Sequence, residues 1–339
     1  MVDPSLAILV LVIILAIGFG AVNGWNDAAN AIATVIGTRV LSPRNAIIMA
    51  AILNFAGAAT GLAVAHTIGK GILAPEAITY PTVISALVSI IIWGSLASYL
   101  GLPISLHHGF IAALAAAGMA VAGGQAVVWG VMERIMAAVV VAPLLGFIGG
   151  FFLMTAIYWI FRHTAPAKVR GLFGNLQIFS AAFMAYSHGK NDGQMPIGVM
   201  TMALVIYYKD PGIWDRLSLF DSRTWWIIVI SAAAISAGTA IGGRRVIRTL
   251  GLKVTTLRPV HGFAAETSAA TVIEIASHFG IPVSTTHSIS ASIMGVGATR
   301  RFSAVRWGIA GNIVTAWVLT FPICGVLGYF FSWLLHSLF

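Results

Sequence analysis

Two short strings carry the residues best suited to chemistry. Gly24-Trp-Asn-Asp27 and Gly189-Lys-Asn-Asp192 each place a carboxylate beside an amide, at an offset of 165 residues. Asn26 and Asn191 offer neutral oxygens next to the charged ones of Asp27 and Asp192, a ligand set suited to a hard monovalent cation. The glycine ahead of each pair lets a helix unwind and free further carbonyl oxygens. Asn30 and Gln194 lie within a turn of the two aspartates. Both add oxygens there, and Gln194 is also a donor for an anion; Lys190 is either an anion contact or a snorkelling lysine paired with Asp192. A helix cap or an internally satisfied polar cluster is the plainer reading of one such string; duplication in the same order weighs against it.

A second pair of strings reads as helix starts. Gly101-Leu-Pro-Ile-Ser-Leu-His-His108 matches Gly280-Ile-Pro-Val-Ser-Thr-Thr-His287 at an offset of 179. A proline followed by hydroxyl residues opens a helix, and a helix start offers free N–H groups and a positive dipole end to an anion. The anion candidates are therefore Ser105 from the first copy and Ser284, Thr285 and Thr286 from the second. His107, His108 and His287 lie one turn further in, as anion donors or as partners of a carbonyl. Glu266, among hydroxyl residues on a later apolar run, is a further cation or proton site, although Leu87 stands at its position in the other copy.

These groups must be held by elements that cross a membrane. Of the 339 residues, 59% are hydrophobic and 9% are charged, against about 25% charged in soluble domains. Ionisable groups within apolar runs of such a chain are functional candidates by default. Runs long enough to span, which takes about 20 residues, fall near 5–38, 44–67, 83–100, 104–122 and 127–161, then near 174–208, 224–243, 259–279, 283–299 and 303–338. Alternate connections carry thirteen lysines and arginines on one side and five on the other, with Lys190 set aside. The positive-inside rule puts the richer side in the cytoplasm and both termini outside. The long runs with Pro143 and Pro322 are expected to be kinked or tilted helices.

With five crossings per half, the second copy enters from the opposite side, as in many secondary transporters. The expected fold is thus an all-α polytopic membrane protein of two inverted-topology repeats, 1–161 and 174–338, with 10–12 helices counting broken ones. The two helix starts then approach the midplane from opposite faces, a site for a multiply charged oxyanion. Net charge is +9, but the cations sit in short connections, which argues against nucleic acid. The single cysteine, Cys324, forms no intrachain disulfide and reads as packing. The N-terminus lacks a basic signal-peptide region, so the run from Leu6 is read as the first span.

At the duplicated Gly-x-Asn-Asp strings and both Pro-x-Ser segments the chain resembles the inorganic phosphate transporter family of sodium- or proton-coupled symporters, over essentially its whole length. The resemblance implies a cell (inner) membrane carrier rather than an enzyme, importing inorganic phosphate with sodium ions and surrounded by membrane lipid. It also implies inverted repeats, external termini and a homodimer. Protons replace sodium in some members, which carry a metal–phosphate complex, and others carry sulfate. The first string lacks the histidine that precedes the second, so the half-sites are unequal. Phosphate is expected at Ser105, Ser284, Thr285, Thr286, Gln194 and Lys190, and sodium at Asn26, Asp27, Asn191, Asp192, Asn30 and Glu266. An intramembrane hydrolase built on Ser105–His108 or Ser284–His287 is the rival from another class. It would require two identical catalytic pairs of opposite orientation, which hydrolysis does not need.

Overall fold

The computed structural model describes residues 4–338. The chain is helical throughout: α1 (Pro4–Gly37), α2 (Pro43–Ala58), α3 (Ala63–Lys70), α4 (Tyr80–Leu100), α5 (Leu106–Ala122), α6 (Trp129–Ile160), α7 (Pro166–Asp192), α8 (Gln194–Tyr208), α9 (Trp225–Ile241), α10 (Arg244–Arg248), α11 (Pro259–His278), α12 (Thr285–Ala298) and α13 (Trp307–Leu338). By length and composition α1, α4, α5, α6 and α13 can each cross a membrane alone. The pair α2–α3, bent by 69°, and the pair made of α9 with 244–253, bent by 61°, can do so as units. The helices that fall short are those given to polar groups. α7 and α11 carry Gln177, Asp192, Glu266 and Glu274, while α8 and α12 have only 15 and 14 residues.

The apolar runs are mostly single helices, with two exceptions. The run 44–67 breaks at 59–62 between α2 and α3. The run 174–208 breaks at Gly193 between α7 and α8. Pro196 is the local cause of the second break, because it has no N–H to return to the carbonyl of Asp192 one turn earlier. In contrast, α1 runs unbroken through Gly24 and Asp27. The expectation that the first glycine unwinds its helix is therefore corrected. α6 and α13 keep Pro143 and Pro322 inside 32-residue helices. Each is about 48 Å long, well beyond a hydrocarbon layer of about 30 Å.

Glycines of the two strings act in packing. A Cβ on Gly24 would collide with the Ile235 carbonyl of α9 and lie 2.7 Å from the Thr239 nitrogen. A Cβ on Gly189 would collide with the Asn54 carbonyl of α2 and lie 2.7 Å from its carbon. Backbone thus meets backbone, as small residues allow in membrane bundles, and α1 and α7 are drawn in with their polar faces buried. Short links turn the hairpins α4–α5 and α11–α12. In them Gly101 (φ 75°) and Gly280 (φ 67°) take the left-handed conformation that a side chain disfavours.

Gly24→Ala should lower stability by about 1–3 kcal/mol, the usual cost of overpacking. Gly174→Ala, where nothing lies within 4 Å of the added carbon, should not. Unfolding midpoints in one detergent compare the two, and equal midpoints would show that the α1–α9 contact is not close.

Candidate functional site

The two strings, far apart in sequence, end in one place. Asp27 on α1, Asp192 at the end of α7 and His188 one turn before it each present an atom, all within 4.8 Å of one another. All three are fully or almost fully buried. Two unit charges at that separation repel by about 3–4 kcal/mol at an effective dielectric of about 20. A buried double-carboxylate cluster needs positive charge from a bound cation, a proton or both.

The start of α12 closes this cluster. Thr286 donates its hydroxyl to Asp27 at 3.0 Å and Thr285 donates to Asp192 at 3.4 Å. Asn30 donates to both threonine hydroxyls, at 2.9 and 3.0 Å. The start of α5 arrives from another side, with His107 Nδ1 3.7 Å from an Asp192 oxygen. His188 Nε2 stands 3.5 Å from the same oxygen, and Asn54 holds the opposite ring nitrogen at 2.9 Å. Asn191 is braced by side-chain and backbone partners. It donates to Asp192 at 3.0 Å and to the Val283 carbonyl at 2.8 Å, and accepts from Ser277 at 3.2 Å.

Both serines cap their helices. Ser105 Oγ accepts the His108 N–H at 3.3 Å, and Ser284 Oγ accepts the His287 N–H at 3.1 Å. A capping oxygen uses a lone pair, so each hydroxyl keeps its proton to donate. The two capped starts lie side by side, the rings of His108 and His287 being 5.1 Å apart. His287 stacks on Trp317 of α13 at 4.0 Å, and the Trp317 indole N–H fixes the Pro103 carbonyl at 3.1 Å. Among the described residues, the buried atoms here without a hydrogen-bond partner include Asn30 Oδ1 and both ring nitrogens of His108; Asn26 Oδ1 is unpartnered too, while the Asn26 amide nitrogen donates to Ser98 of α4 at 2.9 Å and to the Leu102 carbonyl at 3.3 Å. Leaving a buried polar atom unmet costs about 1–3 kcal/mol. These atoms suit a cation on the amide oxygens and an anion at the helix starts.

Three of the expected site residues go elsewhere. Gln194 takes up the backbone instead of an anion. Its oxygen accepts the N–H groups of Val64 and Ala65 at 2.8 and 3.1 Å, capping α3, and its nitrogen donates to the Lys190 carbonyl at 2.6 Å. Lys190 pairs with Glu274 of α11 and is part-exposed, because its position on α7 faces away from Asp192. Glu266 forms a separate cluster, accepting from Thr34, Ser180 and, at 3.1 Å, Gln177. Thr34 lies seven residues beyond Asp27, about 10 Å along α1. Thr38 extends the chain of contacts by donating to Gln177 at 2.8 Å.

Sequence reasoning passed over Thr34, Gln177, Ser180 and Asn54, and left His188 and His107 without a firm role. A signal for several of them was present. Asn23, Asp27, Asn30, Thr34 and Thr38 recur at helical spacing, as do Gln177, Ser180, His188 and Asn191. The first set is a polar stripe along apolar α1, continued by Thr38 just past its end, and the second follows one face of the more polar α7.

Gln194→Ala should lower the unfolding midpoint by the cost of a helix cap, about 0.5–2 kcal/mol, with ion binding altered little. Thr286→Val, which keeps the shape and removes the donor to Asp27, should also cost about 1–3 kcal/mol of stability, because a buried acceptor loses its partner. It should weaken ligand binding by about tenfold, the worth of a hydrogen bond to a charge. Calorimetric titration with sodium and phosphate, beside the unfolding curves, separates the two effects. The opposite pattern would return Gln194 to the ligand set.

Comparison with known proteins agrees with this geometry. The family model described as the phosphate transporter family matches residues 23–170 and 162–328. A protein of Bacillus subtilis (strain 168) named a probable low-affinity inorganic phosphate transporter is 39% identical, covering 99% of this chain and 100% of its own. One of Rhizobium meliloti (strain 1021) with the same name is 40% identical over 96% of each chain. A solved structure described as "The sodium-dependent phosphate transporter" superposes with a TM-score of 0.88 at 25% identity, covering 98% of this chain and 100% of that one. The helices, the buried polar cluster and these relatives describe a multi-pass protein of the cell membrane that moves its ligand without transforming it, and the chain belongs to the phosphate transporter family.

Proposed function

We propose that the chain imports inorganic phosphate by sodium symport with alternating access. The observation that carries this reading is the meeting of Asp27 and Asp192 within 4.8 Å, beside the buried and unpartnered Asn30 oxygen and at two capped helix starts. Phosphate is held by the free N–H groups and hydroxyl protons at Ser105 and at Ser284–Thr286. Sodium is held beside it by Asp27, Asp192 and the oxygens of Asn26 and Asn30, with Asn191 positioning Asp192. Glu266, with Thr34, Gln177 and Ser180, offers a second cation site. The stripe from there through Thr38 leads toward the arginine-rich end, which we assign to the cytoplasm, with both termini outside and residues 1–161 and 174–338 as inverted halves.

Charge explains the coupling. Moving one charge against 100 mV costs about 2.3 kcal/mol, so divalent phosphate alone would cost about 4.6 kcal/mol. Two sodium ions cancel that cost, and a third makes entry favourable. Bound cations also relieve the repulsion between the two carboxylates, so neither ion should bind well without the other. Sodium is favoured over protons because amide oxygens coordinate a cation but are not needed to relay a proton. The similar solved structure is likewise that of a sodium-dependent transporter.

A second reading, proton-driven uptake of a metal–phosphate complex, has one observation in its favour: an imidazole, His188, completes the carboxylate cluster. Imidazole suits divalent transition ions better than sodium.

Uptake of labelled phosphate into proteoliposomes should require an inward sodium gradient and ignore excess sulfate. Proton-driven uptake accompanied by labelled divalent metal would favour the second reading, and movement of sulfate alone would overturn the phosphate assignment. Asp27→Asn and Asp192→Asn should each cut sodium-driven uptake by at least about tenfold, since each removes a charged partner of the ion. Normal uptake by both would remove the aspartates from the cation site.

A further inference from the structure

At the arginine-rich end, away from the aspartate cluster, lies a cavity of about 900 Å³ between α1, α2, α9 and the segment 244–253. Its walls are mostly apolar, from Ile36, Ile47, Ile48, Ile247 and Leu252, and three cations, Arg44, Arg244 and Arg248, stand on its rim. None of the lining residues is acidic, and no ion pair of these three arginines occurs among the described residues. The α2 helix also begins here, at Pro43, and its positive end adds to the field. Ile48, Leu252 and, at the end of α9, Ile241 are exposed by 48%, 55% and 67%, so the apolar wall continues onto the surface facing the bilayer.

From this arrangement we infer that the cavity binds one anionic phospholipid, with its headgroup phosphate on Arg44, Arg244 and Arg248 and its chains along the isoleucine wall. The combination of a phosphate-binding rim with an apolar floor selects an amphiphile over a free ion. Basic pockets between membrane helices take anionic headgroups in this way. A second copy of the chain is a poor occupant, because a two-fold axis through this cavity would set these arginines against their own symmetry mates. A matched contrast exists on the same end of the protein. The cavity around Arg300, Arg301 and Arg306 has comparable charge, but it is lined by Thr255, Thr256 and Ser303 and lacks an apolar wall.

The test is native mass spectrometry of the delipidated full-length protein, titrated with phosphatidylglycerol or phosphatidylcholine of equal chain length, with and without millimolar inorganic phosphate. Wild type should retain phosphatidylglycerol at least about tenfold better, since each arginine near an anionic headgroup is worth about a fivefold preference. R44Q/R248Q should therefore lose roughly five- to twenty-five-fold, while R300Q/R301Q, with the same loss of charge, keeps the preference. If R44Q/R248Q does not fold, photoactivatable phosphatidylglycerol on wild type decides. Crosslinks within 36–48 and 240–252 support the site, and crosslinks only elsewhere overturn it. Equal retention of both lipids, an equal loss in R300Q/R301Q, or displacement of phosphatidylglycerol by inorganic phosphate would each overturn it too.

Discussion

The structure depends on holding two carboxylates together away from water. Asp27 and Asp192 repel one another, and each would be costly to bury alone. Their surroundings show how the cost is contained. Threonine hydroxyls of α12 donate to both acids, Asn30 orients those hydroxyls, and His107 and His188 stand beside Asp192. What these donors do not balance is net charge, which a cation or a proton would have to supply.

The same constraint explains the packing. Buried carboxylates can meet only if α1 and α7 are drawn deep into the bundle, and that requires partners whose backbones come very close. Gly24 against α9 and Gly189 against α2 provide these approaches, each next to the acid it serves. The residues that look like an unwinding signal in sequence thus do their work as contact points on intact helix. Of the two aspartate-bearing helices only α7 is interrupted, at Gly193, where Pro196 removes a hydrogen bond.

Beside the carboxylates lie two helix starts. Two hairpin links, each with a left-handed glycine, a proline and a capping serine, deliver the first turns of α5 and α12 to adjacent positions. Trp317 braces one of them through the Pro103 carbonyl and stacks under His287 of the other. Donor groups and carboxylates are therefore in contact through Thr285 and Thr286.

Much of this was legible without coordinates. Composition and run lengths specify a membrane bundle, because hydropathy is a local property that each residue carries with it. The caps at Ser105 and Ser284 follow from Pro-x-Ser spacing for the same local reason, and Asp27, Asp192 and Asn30 stand out as polar residues in apolar runs. Polar stripes on α1 and α7 could also have been read from helical spacing. The sequence by itself determined which elements exist and which residues are too polar for lipid. Only the tertiary structure decided that both aspartates share one cluster, that Gln194 caps α3, that Lys190 turns to Glu274 and that Glu266 forms a separate cluster. Those outcomes depend on which helix faces meet and how closely their backbones approach, and that geometry is a property of pairs of segments far apart in the chain.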